Sequence, residues 1–274
     1  MHPMLNIATR AARAAGDLIV RSLDRVDQLS ITSKDRNDYV SEVDRQAEDV
    51  IIRTLRKAYP QHAILAEESG SQGDGDFQWV IDPLDGTTNF LHGFPQFAVS
   101  IALLHKGRLE QGVVYDPLRQ EMFTATRGAG AMLNNRRLRV SPRPGLGGAL
   151  LGTGFPYKVH DHLDAYLAML KEFIKETAGV RRPGSAALDL AYVAAGRLDG
   201  FWEIGLNTWD LAAGALLIQE AGGIVGDFTG GPNFLKSGNI VAGNAKIFAA
   251  MIKTIRPHLP PELGAAAGAA SAQV

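Results

Sequence analysis

The sequence predicts a mixed α and β chain, and three observations carry that expectation. Two helix-period stripes open it, short β-type runs separated by turn signals crowd its middle, and helix and strand alternate through its second half. Over 5–22, Leu5, Ala8, Ala12, Ala15, Leu18 and Ile19 fall near one helical face. The polar run SKDRNDY (33–39) reads as an exposed loop. A second helix spans 43–58, where Val43, Ala47, Val50, Ile51, Thr54, Leu55 and Ala58 form a stripe and Pro60 stops it. A short strand follows at 63–66, then a loop, SGSQGDGD, at 69–76. Strands are expected at 79–81, 98–104, 112–115, 122–126 and 138–140, and the turn signals HKG (105–107) and DP (116–117) suggest an antiparallel meander. Beyond the RPGLG break at 143–147, a sub-domain boundary candidate, the order becomes strand 149–152, helix 161–176, helix 186–195, strand 200–204, helix 211–221, strand 224–227, strand 240–242 and helix 247–255.

Composition narrows the function classes. Of 274 residues, 46% are hydrophobic and 21% charged, which supplies a core and excludes a disordered chain. The net charge of −1 gives no overall basic excess for nucleic acid or an anionic membrane. No cysteine is present, so disulfides and thiol nucleophiles are excluded and any metal site must use Asp, Glu or His. Arg10, Arg13 and Asp17 interrupt the first apolar stretch, which therefore does not read as a signal peptide, and no run reaches membrane-spanning length. The expectation is a cytoplasmic chain with one functional unit over 1–262 and a low-complexity, disordered tail over 263–274.

The most informative stretch is WVIDPLDGTTNF (79–90). An apolar strand runs into Asp82, Pro83 is expected to end it, and Asp85 follows three residues on. Two carboxylates in one tight turn repel unless a cation sits between them, and the Leu84 carbonyl is a further oxygen donor. Gly-Thr-Thr-Asn then reads as a helix start, whose N–H groups suit phosphate. An ordinary Asp-Pro turn with a helix cap is the competing reading. Three more acidic features fit both ways. Glu67-Glu68 ends a strand or lies in a solvated loop. Asp210, in NTWDLAAG (207–214), is a ligand or a favoured first-turn residue. Asp44, three residues after Ser41, is a functional carboxylate or one half of a capping box.

Together AEES (66–69), DPLDGTTNF (82–90), WDLAAG (209–214) and DYVSEVD (38–44) resemble, in order and spacing, the inositol monophosphatase family, over residues 4–258. LDLAYVAAGRLDGFWEIG (188–205) and EAGGIVGDFTGG (220–231) resemble its bacterial extragenic-suppressor branch. The resemblance implies a layered α-β-α-β-α sandwich, homodimeric, that uses two to three Mg2+ ions, is lithium-sensitive and hydrolyses inositol monophosphate or a similar polyol phosphate with metal-activated water. It implies that Glu67, Asp82 and the Leu84 carbonyl hold one ion, and that Asp82, Asp85 and Asp210 hold a second. Thr87 paired with Asp44 would activate water, and the Gly86 and Thr87 amides would receive phosphate. Gly184, Ser185, Ala186, Glu203 and Asp210 fall where the family contacts substrate hydroxyls, and Lys34 on a loop that folds toward the metals. Thr88 stands where nucleotide phosphatases of this superfold carry Lys, which favours the inositol type. The bacterial branch also implies an alternative role as a partner of RNA polymerase and transcription antitermination factors. His92, His105, His160, His162 and His258 do not cluster and read as surface or packing residues, and Arg181-Arg182 reads as a solvated pair.

Overall fold

The structure is a computed structural model that describes residues 2–28, 31–35, 38–156 and 160–264. Helix α1 (Pro3–Ser22) begins where Nδ1 of His2 accepts the Met4 N–H and Pro3 presets the first turn. Its inner face is almost all alanine, and Ala8, Ala11, Ala12 and Ala15 are sealed from solvent. Small side chains let it lie close along α2 (Glu42–Ala58). The stretch read as a loop at 33–39 instead carries two paired strands, β1 (Ile31–Asp35) and β2 (Asp38–Ser41). Backbone pairing is indifferent to the polarity that suggested a loop. Lys34 belongs to β1, and its side chain lies outside the described residues.

The next strands are β3 (Ala63–Ala66), β4 (Gly70–Gln72), β5 (Phe77–Asp85), β6 (Ala98–His105), β7 (Arg108–Asp116), β8 (Glu121–Thr126), β9 (Gly130–Leu133) and β10 (Arg136–Arg137), with the short helix α3 (Thr87–Leu91) after β5. They form one sheet in the order β10-β9-β8-β7-β6-β5-β3-β4. From β5 to β10 it is the antiparallel meander that the turn signals predict, and β3 joins β5 in parallel. Three local expectations fail. Residues 70–72 of the expected loop form β4 against β3. The strand expected at 138–140 is a connector outside the sheet, held by Leu138 N–H to the Ala131 carbonyl and Val140 N–H to the Ala221 carbonyl. Pro83 does not end β5: the register with β6 slips between Asp82 and Asp85, and that irregularity accommodates a residue with no N–H.

The second half supplies β11 (Leu150–Thr153), α4 (Leu163–Glu176), β12 (Gly179–Arg181), α5 (Ala186–Ala194), β13 (Gly200–Glu203), α6 (Thr208–Glu220), β14 (Ile224–Gly226), α7 (Phe234–Ser237), β15 (Ile240–Gly243), α8 (Ala245–Ile255) and α9 (Pro261–Gly264). Its strands form a second sheet in the order β12-β11-β13-β15-β14.

Three cores stack the layers. Helices α1 and α2 cover one face of the large sheet through Ile19, Ile51, Leu55, Trp79, Ile81 and Ile101. Helices α5 and α6 lie between the sheets, touching Val80, Val114 and Phe123 on one side and Phe201, Ile240 and Ala242 on the other. This is why α6 is buried at every position from Leu211 to Ile218 rather than along one stripe. Helices α4 and α8 close the outer face of the small sheet around Tyr166, Phe173, Trp202 and Met251. The result is the α-β-α-β-α sandwich. Truncating a residue such as Phe201 to Ala removes about 3–5 kcal/mol. No helix among the described residues is long and apolar enough to cross a membrane. Residues 265–274, most of the expected tail, lie outside the described residues.

Candidate active site

The site grows from the end of β5. Because β3 runs parallel to β5, the chain leaves both strands at the same edge, and the Glu67 N–H donates to the Ile81 carbonyl at 3.1 Å. This sets Glu67 beside Asp82. Asp82 is 1% exposed, and its Oδ1 accepts the Leu84 N–H at 2.9 Å, which folds the turn. Asp85 Oδ2 accepts the Ser185 hydroxyl at 2.5 Å and the Ala187 N–H at 2.7 Å, so the start of α5 is tied to the turn. Asp210 occupies the first turn of α6 and accepts the Asn207 N–H at 2.7 Å in a capping box. One carboxylate oxygen from each of Asp82, Asp85 and Asp210 lies within 4.8 Å of the others.

That crowding has an electrostatic signature. Burial first, then the charges of Glu67, Asp85 and Asp210, hold the Asp82 carboxyl well above the usual carboxylate range. Burial also pushes Asp85 up to about 6, against the hydrogen bonds from Ser185 and Ala187 that favour its charged form. Hard oxygen donors packed this densely suit a hard divalent cation, which would remove the repulsion that the fold otherwise sustains.

Asp44 satisfies both of its sequence readings at once. Its Oδ2 accepts the Ser41 N–H at 2.8 Å and the Ser41 hydroxyl at 2.5 Å, completing the capping box of α2. Its Oδ1 accepts the Thr87 hydroxyl at 2.8 Å. The same hydroxyl lies 3.1 Å from the Leu84 carbonyl. Gly86 precedes α3 at φ +98°, and a Cβ there would come within 2.9 Å of the Gln96 carbonyl, so only glycine fits this corner.

A cavity of about 500 Å³ adjoins the carboxylates. Asp85, Gly184, Ser185, Ala186, Glu203 and Asp210 all line it, so the residues expected at substrate hydroxyls share one wall system with two of the expected metal ligands. Asp82 is buried behind this surface, and Glu67, Leu84, Gly86, Thr87 and Asp44 stand outside the lining. Arg182 also lines it, with its guanidinium 5.1 Å from the Phe155 ring centroid, so the reading of Arg181-Arg182 as a solvated pair holds only for Arg181. His162 lines the cavity too.

Two positioning residues, Glu48 and Asn89, and one cavity-lining acid, Asp189, are given no role by the sequence motifs. Glu48, 3% exposed, accepts the Glu68 and Ser69 N–H groups at 2.8 and 2.9 Å and so clamps the turn that carries Glu67. Its signal was available: it lies one helical turn beyond Asp44, an acid inside an otherwise apolar stripe. The Asn89 side-chain amide donates to the carbonyls of Gln96, Pro183 and Gly184, tying α3 to the Gly184 corner. Asp189, 1% exposed, lines the cavity. Nothing local in the sequence announces the last two contacts, which cross about a hundred residues or join two layers.

Comparison with known proteins agrees with this geometry. The model of the Inositol monophosphatase family matches residues 1–259. The Nus factor SuhB of Pseudomonas aeruginosa is 64% identical over 269 residues, covering 96% of this chain and 99% of that protein. The crystal structure of extragenic suppressor protein suhB from Bartonella henselae superposes with a TM-score of 0.92 at 46% identity, covering 94% of this chain and 100% of that one. The inositol monophosphatase from Anabaena gives a TM-score of 0.82 at 41% identity, covering 94% and 96%. The fold, the acidic cluster and these relatives together make the chain a member of the inositol monophosphatase family.

Proposed function

We propose that this chain, through one unit spanning 1–262, hydrolyses inositol monophosphate or a similar small polyol phosphate with Mg2+. The observation that carries the reading is the convergence of Asp82, Asp85 and Asp210 within 4.8 Å beside a cavity of about 500 Å³. Glu67, Asp82 and the Leu84 carbonyl would hold one ion, Asp82, Asp85 and Asp210 a second, and a third would share Glu67. Bound there, Mg2+ supplies Lewis acidity that lowers the pKa of water and neutralises charge on the phosphoryl oxygens and leaving group.

The chain's own residues do the rest. The Thr87 hydroxyl, whose proton Asp44 accepts, orients the attacking water and passes its proton toward the carboxylate. Burial holds the Asp44 carboxyl above its ordinary value, against the bonds from Ser41 and Thr87 that favour its charged form, and a more basic carboxylate is a better proton acceptor. The N–H groups of Gly86 and Thr87 receive phosphate oxygens at a helix start, where backbone donors lack intrahelical acceptors. Gly184, Ser185, Ala186, Glu203 and Asp210 orient the alcohol. We further read the protein as a cytoplasmic homodimer inhibited by lithium, as the family likeness suggests. The test is a phosphate-release panel with and without Mg2+. Turnover of myo-inositol 1-phosphate supports the reading, and inertness toward every phosphate monoester refutes it.

The name Nus factor carried by a relative 64% identical supports a second role, as a partner of the transcription antitermination machinery and RNA polymerase. Complementation of a deletion strain by an Asp82→Asn protein, shown inactive in vitro and present at matched abundance, separates the two. Full rescue refutes catalysis as the essential function, and failure to rescue, with normal folding confirmed, counts against docking alone.

A further inference from the structure

Most of the cavity wall is accounted for by the reading above, but one of its groups is not. Asp189 sits in the first turns of α5, where its N–H donates to the Ser185 carbonyl at 3.0 Å. Its side chain is 1% exposed, and its Oδ1 has no hydrogen-bond partner among the described residues. Leaving a buried carboxyl oxygen unpaired is costly, and a folded chain that keeps one calls for a partner that arrives from outside.

The backbone opposite runs close beside it. In LLGTGF (150–155), glycines alternate at 152 and 154. A Cβ on Gly152 would stand 3.7 Å from the Asp189 Cβ and 2.8 Å from a Leu198 methyl. A Cβ on Gly154 would overlap the Glu203 carboxylate outright. Gly154 therefore clears space for the Glu203 carboxylate, while Gly152 makes room for Leu198 and Phe201 and leaves Asp189 in ordinary contact; both acids line the cavity. A pair of acids recognises donors and repels anions. Arg182 lines the same cavity and offsets part of their charge, and a neutral hydroxyl is the donor assigned to them.

We propose that Asp189 is a specificity-determining residue that accepts a hydrogen bond from a ring hydroxyl of a cyclic polyol phosphate, alongside the hydroxyl taken by Glu203. The assignment rests on the phosphatase reading. It extends the recognition surface from the Gly184–Ala186 corner toward Thr153 and Gly154, and it makes a cyclic polyol with several free hydroxyls a better substrate than an alcohol lacking them.

The test compares wild type, Asp189→Asn and Asp189→Leu in Mg2+, with kcat/KM measured for myo-inositol 1-phosphate and for p-nitrophenyl phosphate, which carries no ring hydroxyl. The ratio of the two should fall about ten- to a hundredfold in Asp189→Leu and less in Asp189→Asn, whose amide oxygen still accepts, with p-nitrophenyl phosphate hydrolysis within about twofold of wild type. Asp189→Leu should melt no lower than wild type, because the unpaired buried acid is gone. An unchanged ratio in folded Asp189→Leu, or equal losses on both substrates, overturns the assignment while the phosphatase reading stands. Preference of wild type for an amino-polyol phosphate, lost in Asp189→Asn, overturns the neutral-donor assignment. Failure of wild type to hydrolyse either substrate overturns the phosphatase reading and this assignment with it.

Discussion

Asp44→Asn separates two jobs that one side chain performs. One oxygen of Asp44 closes the α2 cap and the other accepts the Thr87 proton. An amide keeps a single acceptor, so it serves Ser41 or Thr87 and presents N–H to the other. Bonds to a charged acceptor are worth about 1.5–3 kcal/mol each, which sets the gross loss. Relief of a buried charge opposes it, since burial is the largest influence on this carboxyl. The net change is about 1 kcal/mol, or roughly 2–4 °C in melting temperature for a chain of this size. Turnover should fall about a hundredfold or more, because the water loses its proton acceptor. Ser41→Ala is the control: it removes the cap at about the same cost in stability and leaves Thr87 bonded to Asp44. Thermal melts and kcat on p-nitrophenyl phosphate are measured for both. Equal turnover losses in the two variants, or Asp44→Asn losing stability alone, would refute the proton-accepting role.

Three other outcomes follow from the same geometry. Asp82→Asn removes one charge from a repelling cluster and retains an acceptor for the Leu84 N–H, so the metal-free variant should melt higher than metal-free wild type. For a carboxyl raised on folding, the associated stability is full below its unfolded pKa and lost as pH rises through the folded one. Asp82 is held well above 3.8, so the stability advantage of Asp82→Asn should open as pH rises past 3.8, grow toward the raised folded value and vanish when Mg2+ is added. Glu48→Ala frees the Glu68 and Ser69 N–H groups and loosens Glu67, and the Mg2+ concentration for half-maximal activity should rise about tenfold or more, read by metal titration. Glu203→Gln should raise KM for myo-inositol 1-phosphate more than for p-nitrophenyl phosphate, and equal effects would remove it from substrate recognition.

How far the sequence carried this account depends on whether a feature is local. The α1 and α2 stripes, the meander and the alternating second half follow from apolar periods of 3.6 and 2, and apart from the strand expected at 138–140 these appear near their expected places. The β1–β2 hairpin was hidden because its ladder is made by backbone groups under polar letters. The course of β5 past Pro83 was hidden because the register slip that tolerates proline depends on its neighbour β6. At the site, the turn 82–87 was legible as chemistry because two acids, a carbonyl and a helix start are adjacent in the chain. The way Asp210 and Ser185 reach that turn depends on α5 and α6 packing between two sheets, which no window of sequence contains. Asp44 reads as a cap from its spacing, and its bond to Thr87, 43 residues away, is purely tertiary.

The central claim, that the cluster of Asp82, Asp85 and Asp210 is the metal centre of a phosphatase, is tested most directly by one titration. Metal-stripped protein is assayed for phosphate release from myo-inositol 1-phosphate as Mg2+ is added, with Asp82→Asn in parallel. The account predicts no hydrolysis without metal, saturable activation of wild type, and near-complete loss of activity in the variant with its fold intact. Full activity of wild type in excess chelator, or wild-type turnover by Asp82→Asn, would contradict it.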